Sequence, residues 1–571
     1  MTERRLFLDG IPDDFDPSKD LVLSASCFVG REHIWPEWEN CSFYDPLEAP
    51  EIQWRDWMRT RILANRLCRS MGAELNLRHG TEYGERYWRE LLLLWLLLLI
   101  QGAWLRYLQI NDAIERWGAL DLTVPVASDV GDWIYRDDLD FYHNGPRNRD
   151  YDLWLGTYLL QTRAPPKWKL VPTREVGYRC KVRIGNSASS GSFVRRLIAR
   201  MFRRRAFYNL QGGGKLEFLL SAIAPVLPLR EQQLGRTVDQ SSEARKYHPF
   251  PDDFLLLVDM LTTRTMPETL AGNYLQYDRE AASLSYKRGR LFVSGASKYV
   301  PENRFMTAHA LERGERVIRY QHGSSYGSSH IMIAHEMEYY DHGFISWGWR
   351  SDGRIPRPAT PLPAPTLSNG WKPHRRQSDD IIFVGTNIEL GPYPFKPSPN
   401  PRGFLEYRNR KIEFFNHLTP AARQNLRYRP YANADSDLDD LGHLQRAIGQ
   451  IPLVTGLLKP ALLGCALAVI DHPGTAVYQA LAANIPTILV WDKSAWHLNS
   501  HGSEQLALLE DSGIFVADPA LAAQKINGMY GQIEEWWLSN QTQSARQKWC
   551  NNNALSQRTW WYTWLREFVR G

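Results

Sequence analysis

Residues 470–491 read IDHPGTAVYQALAANIPTILVW. The stretch changes period twice. The apolar run ALAVI (466–470) is short and continuous, as in a strand buried on both faces. DHPGT follows as a loop at its carboxyl end. Gly474 and Thr475 then open the helical segment AVYQALAAN, and Pro486 stops the chain before a second apolar run, TILVW. Strand, loop, helix and strand in this order predict a parallel α/β sheet. Such sheets take ligands outside the carboxyl ends of their strands. Backbone N–H groups at a helix N-terminus, with a Thr hydroxyl, form an anion site. Gly474 lets a phosphate approach the backbone, and His472 can donate to a phosphate oxygen. An ordinary βαβ turn containing a glycine would read the same way.

Working outward, α/β alternation extends through DDIIFVGT (379–386), IEFFNHL, LRYRPY, IPLVTGLL and GIFVAD. Upstream, RLFVSG and RVIRYQHG read as strands around the helix ENRFMTAHALERG, and HGFISWGW as a third strand. Between the two regions lies GRIPRPATPLPAPTLSNGWKP (353–373), with six prolines and no periodicity, which reads as a linker. Residues 52–118 form a helical block, 139–185 look loop-rich, and 519–571 read as Trp-rich terminal helices.

A chain of 571 residues exceeds one hydrophobic core. The organisation expected is an α/β domain with helical insertions (1–352), a linker (353–378), a second α/β domain (379–530) and C-terminal helices (531–571). A net charge of +5 does not argue for nucleic acid. The six cysteines have no metal-ligand spacing and suit reduced thiols. LLLLWLLLLI (91–100) is too short for a membrane span of about 20 residues and reads as a core helix. The N-terminus shows no signal peptide.

Several stretches carry candidate chemistry. YQHGSSYG (320–327) places His322 at a strand tip, where an imidazole can act as acid or base or bind a phosphate. SDVGDWIYRDD (128–138) reads as the end of a strand at a turn. There Asp129 and Asp132 are candidate base or nucleophile, and Asp137 and Asp138 are read as solvated. QGGGKLEF (211–218) fails the phosphate-loop pattern, because Leu216 follows the Lys. SFVRRLIARMFRRR (192–205) puts six apolar residues on one helical face and six arginines around it. Such a helix suits either an anionic membrane surface or packing on its own domain.

CFVGREHIWPEWE (27–39), YWRELLLLWL (87–96), YQHGSSYG, FISWGW and DHPGTAVYQALAANIPTILVWDKSAWHL together resemble a family of bacterial transferases from surface-polysaccharide gene clusters. That family is related in its core to GT-B glycosyltransferases. The resemblance runs from about residue 20 to 530. It implies an α/β, GT-B-like fold with two Rossmann-like domains facing a cleft. It also implies a nucleotide-sugar donor, a glycan acceptor that can be lipid-linked, no metal or other cofactor, and a cytoplasmic place at the inner membrane face. On it, His472, Pro473, Gly474 and Thr475 hold the donor phosphate, and Gln479 contacts the ribose. Gly385 and Thr386 line the nucleotide pocket, Arg429 neutralises donor charge, Asp129 or Asp132 is base or nucleophile, and His322 assists across the cleft. This chain departs from the family pattern at Pro473, where an acidic residue is usual, and at Gln479, where Glu is usual. The His472–Pro473 pair is similar to the His-Pro motif of bacterial sialyltransferases and Kdo transferases, which use CMP-activated acid sugars. A CDP-glycerol-type polyol-phosphate transferase and a non-catalytic carbohydrate-binding protein are the rival readings.

Overall fold

The computed structural model describes residues 4–570 apart from 36, 39–48, 181–206, 209–248, 283–289, 295–298, 340–342, 354, 356, 371–373, 387–400 and 432–438. The arginine-rich segment 192–205 and the 211–218 stretch lie outside the described residues.

Among the described residues three sheets form, and every paired strand in them is parallel. The first has β1 (Arg4–Phe7), β2 (Leu21–Val22), β3 (Leu122–Ile134) and β4 (Trp168–Arg179), in the order β2–β1–β3–β4. The second runs in chain order through β5 (Phe207–Tyr208), β6 (Arg290–Ser294), β7 (Arg316–Tyr320), β8 (Gly343–Ser346) and β9 (Thr360–Pro361). The third has β10 (Ile381–Val384), β11 (Leu426–Arg429), β12 (Leu467–Ile470) and β13 (Thr487–Leu489), in the order β11–β10–β12–β13. The α/β class and the pair of sheets flanking the proline-rich run agree with the sequence reading. The first sheet is an addition to it.

The third sheet shows why its strands read as unbroken apolar runs. Ile381, Phe383, Leu467 and Val469 pack on one side, against Phe414, Phe415 and Ala522. Their neighbours Ile382, Val384, Ala468 and Ile470 pack on the other, against Val477 and Leu481. Side chains alternate between faces, both faces are covered, and each position must be apolar.

The helix Glu85–Trp117 carries residues 91–100 through the centre of the N-terminal core, shared by the first sheet, helix Pro50–His79 and helix Pro301–Glu312. It is long and apolar enough to cross a membrane, yet 89% of its most apolar window is buried inside the protein. It is the core helix the sequence suggests.

Three expectations are corrected. Within 139–185, the described residues 139–180 are largely regular: helices Asp138–Asn144 and Arg149–Arg163 lead into β4. The proline-rich run is partly structured, since Thr360–Pro361 pairs with β8 and Pro365–Gly370 is helical. It is also tied down, because Ala364 N donates to Leu555 O at 2.8 Å and Trp564 Nε1 to Pro363 O at 2.9 Å. Asp137 and Asp138 are buried rather than solvated. Asp137 caps helix Asp138–Asn144 by accepting from Asp140 N, and Asp138 pairs with the buried Arg304.

Leu97 is fully buried in that central helix. Leu97→Ala should cost about 2–5 kcal/mol. Expected in a thermal melt is a lower first unfolding midpoint; an unchanged midpoint would mean the helix is not the core.

Candidate functional site

The second and third sheets point their strand ends at one cavity of about 570 Å³. Two loops form its floor. One is the DHPGT loop, between β12 and helix Thr475–Ala482. The other, residues 321–330, follows β7. They touch directly: Ser324 N donates to Thr475 Oγ1 at 3.2 Å, and Thr475 Oγ1 lies 3.4 Å from Ser324 Oγ.

Of the residues assigned to the donor from sequence, Gly385, Thr386, Arg429, His472, Pro473, Gly474, Thr475 and Gln479 all line this cavity. Gly385 and Thr386 follow β10, and Arg429 ends β11, where its Nη1 donates to Val454 O at 2.9 Å. Parallel register puts Val384, Arg429 and Ile470 side by side, so the loops that follow them converge.

Gly474 is the N-cap of helix Thr475–Ala482, with φ −85° and ψ 178°, an extended conformation open to any residue. Space is what demands a glycine. A Cβ built there would run into Nε2 and Cδ2 of His472, whose ring folds back over the helix N-terminus. His472 Nδ1 is 2.9 Å from Asp471 Oδ1. Asp471 is only 3% exposed, and its other oxygen accepts from the Tyr407 hydroxyl at 2.7 Å. Tyr407 also accepts from Thr386 N at 3.0 Å, coupling the loops after β10 and β12. The sequence reading missed Asp471, Tyr407 and Trp496, although Asp471 precedes His472 directly. Trp496 lines the cavity with its ring 6.4 Å from that of His472.

On the opposite loop, His322 Nδ1 lies 2.8 Å from the Tyr326 hydroxyl, which is 2.9 Å from both oxygens of Glu338. Tyr326 and Glu338 are buried at 1% and 0% exposure. Burial, and then the Glu338 charge, hold the Tyr326 phenol well above its usual range, so it stays protonated. Its single proton goes to the carboxylate, and its lone pair accepts His322 Nδ1–H. His322 stands two residues before Ser324, which lines the cavity together with Ser325. Ser325 has φ +72°, a left-handed conformation that costs a non-glycine residue about 1–3 kcal/mol and collects at functional sites.

Asp129 and Asp132 are not brought to this place. Both are exposed on β3, in the first sheet, and neither lines the cavity. Asp129 accepts from Val130 N, and Asp132 pairs with Arg179. The strand runs on through Ile134 instead of stopping at a turn.

The family model of the LIC12162 family transferases matches residues 4–568. The chain belongs to that family. No curated protein matches it. Among solved structures, Acinetobacter baumannii MurG is similar at 11% identity and a TM-score of 0.30, over 52% of this chain and 77% of that one. The spinosyn forosaminyltransferase SpnP is similar at 10% identity and a TM-score of 0.29, over 52% and 78%. Arabidopsis thaliana UGT89C1, solved with UDP, is similar at 10% identity and a TM-score of 0.31, over 81% and 96%. Likenesses this low assign nothing to the site of this transferase.

Gly474→Ala should displace the His472 ring while leaving the fold intact, because the backbone there suits alanine. Expected is a loss of nucleotide affinity without a drop in melting temperature. Wild-type affinity in this variant would show that the ring position is irrelevant to binding.

Proposed function

We propose that this transferase moves a sugar from a nucleotide-sugar donor onto a glycan acceptor. The observation that carries the reading is the single cavity in which a helix N-terminus, Arg429 and His472 converge on space large enough for a nucleotide. Helix N-termini and cationic side chains favour phosphate together. Pro430, Tyr431 and Leu458, on the same cavity wall, offer an apolar surface to a base. The donor we favour is a CMP-activated acid sugar, on the His472–Pro473 pair and on Arg429 and His472 as the basic side chains that line the cavity among the described residues. A single phosphate needs less neutralisation than a pyrophosphate. The acceptor we favour is a surface polysaccharide built on a lipid carrier, with the enzyme at the inner membrane face.

In the proposed reaction the donor phosphate lies over Gly474 and Thr475, and Gln479 hydrogen-bonds the ribose. His322 removes the proton from the acceptor hydroxyl as its oxygen bonds to the anomeric carbon of the sugar, and the bond from that carbon to the donor phosphate breaks, releasing the nucleotide. The Tyr326–Glu338 pair holds that imidazole with its proton on Nδ1, so Nε2 is the basic nitrogen. This assigns the base to His322 instead of Asp129 or Asp132, which stand on another sheet.

Two measurements test the reading. A thermal-shift screen of CMP, CDP, UDP and GDP should show stabilisation, strongest with CMP; a flat response to all four would favour a non-catalytic binding protein. With the donor so identified, His322→Gln should lower turnover by about 10²–10⁴ while donor affinity stays near wild type. Full turnover in that variant, with loss in Asp129→Asn or Asp132→Asn, would return the base to β3.

A further inference from the structure

The donor roles described above use His472 and leave Asp471 without one. Its geometry fixes more than a side-chain position. A carboxylate can only accept, so at 2.9 Å the His472 Nδ1 must carry a proton. Asp471 has no freedom to turn away, since its second oxygen is held by Tyr407 and its side chain is buried. Neutral His472 therefore presents an unprotonated Nε2, and this is the nitrogen lying over Gly474 at the helix N-terminus.

That arrangement conflicts with phosphate binding unless a proton is added. A lone pair on Nε2 repels a phosphate oxygen, whereas an imidazolium donates to it. We propose that Asp471 is a positioning residue that makes donor binding proton-linked: the phosphate is captured only with His472 doubly protonated, and binding takes up one proton from solvent. This rests on the nucleotide-donor reading. The chemical partner is any nucleotide whose phosphate sits against His472 Nε2, and the imidazolium so formed is then in place to stabilise the departing phosphate.

The other groups facing His472 do not supply that proton. Tyr407, on helix Pro401–Asn416, bonds Asp471, and Lys411 behind it is paired with Asp440. Arg429 and Tyr431 come from the β11 end across the cavity, and Trp496 from the loop after β13. Ser324, Ser325 and Thr475 present hydroxyls. Arg429 adds fixed charge that does not titrate near neutrality.

Sign follows from linkage. Where the unliganded protein lacks the Nε2 proton, the complex holds it. The dissociation constant should then rise with pH by up to about tenfold per unit. The window of pH 7 to 8.5 is used, because nucleotide phosphates titrate near about pH 6 themselves.

The test has two arms. In the free protein, long-range ¹H–¹⁵N spectra of histidine-labelled material, with His472 assigned through His472→Gln, should show the Nδ1–H tautomer. Asp471→Asn should retain it, because an amide oxygen still accepts, and Asp471→Leu should lose it. In the second arm, titration calorimetry with CMP in buffers of different ionisation enthalpy should give close to one proton taken up per CMP at pH 8. His472→Gln should give none, and Asp471→Asn should bind CMP on the order of tenfold more weakly at pH 8 than wild type does, with a smaller deficit at pH 7. A merely structural role for Asp471 would lower stability without changing the proton count. An Nε2–H tautomer in the wild type, or CMP binding without proton uptake, overturns the proposal. If CMP, CDP, UDP and GDP all fail to bind while the Nδ1–H tautomer is found, the nucleotide reading has failed and this proposal falls with it. Binding without uptake sinks the proposal alone.

Discussion

The cavity exists because two loops from different sheets are joined across it. Thr475 Oγ1 accepts the Ser324 N–H, and the joint continues along the chain. His330 N donates to His497 O at 3.0 Å, Asn499 N to Ser328 O at 2.9 Å, and the Asn499 side chain to Gly327 O at 3.1 Å. Each such bond contributes about 1 kcal/mol net to stability. Their larger effect is geometric: they fix where the loop after β7 stands relative to the helix at Thr475. Gly327 serves this seam directly. Its φ is +73°, and a Cβ there would meet the Trp349 ring, so the loop can turn back toward Asn499 only with glycine. A second tie lies behind the cavity, where Leu555 N donates to Trp347 O at 2.7 Å and Trp564 packs edge-on against Tyr320. The C-terminal helices thus brace the second sheet, although they follow the third in sequence.

With the walls fixed, the third sheet delivers chemistry by register. Val384, Arg429 and Ile470 are neighbours in the ladder, so three loops leave it at one level. Tyr407 then ties Thr386 to Asp471 from behind. His472 and His322 are each held by buried partners, the condition under which a side chain keeps one orientation and one tautomer.

The third sheet and its cavity residues were legible because their signals are local. A strand buried on both faces is a short apolar run, and the loop-to-helix change at Gly474 is written in adjacent residues. What was missed is non-local or solvent-facing. β4, WKLVPTREVGYR, is mostly exposed or half-buried, so it lacks an apolar run and the first sheet did not stand out. β3 carries its acids on an exposed stretch that imitates a strand end. Asp138 looked solvated because its partner, Arg304, lies far along the chain. Nothing near Ser324 announces Thr475, and nothing near His322 announces Glu338; such pairs come from folding. Asp471 is the exception. It adjoins a histidine at a strand tip, and an acid beside an imidazole in a buried loop is a local signal for an oriented base or phosphate donor.

Two imidazoles now stand on facing loops, each bound at Nδ1 to a buried acceptor. His472 is held by Asp471 directly, and His322 through the Tyr326 hydroxyl to Glu338. The difference between the two links is chemical. Asp471 presents its charge to the ring itself, so an imidazolium at His472 meets a carboxylate at 2.9 Å. The phenol between His322 and Glu338 cannot ionise in its buried place and presents only a neutral oxygen to His322. The Asp471 link brings a carboxylate to the His472 ring, and the Tyr326 link brings a neutral hydroxyl to the His322 ring. In the proposed transfer the two links suit different tasks: Asp471 would support an imidazolium formed beside the leaving phosphate, and Tyr326 would orient a neutral base toward the acceptor's proton. The seam at Thr475 holds their two loops together, and each imidazole keeps its own link, one to Asp471 and the other through Tyr326 to Glu338.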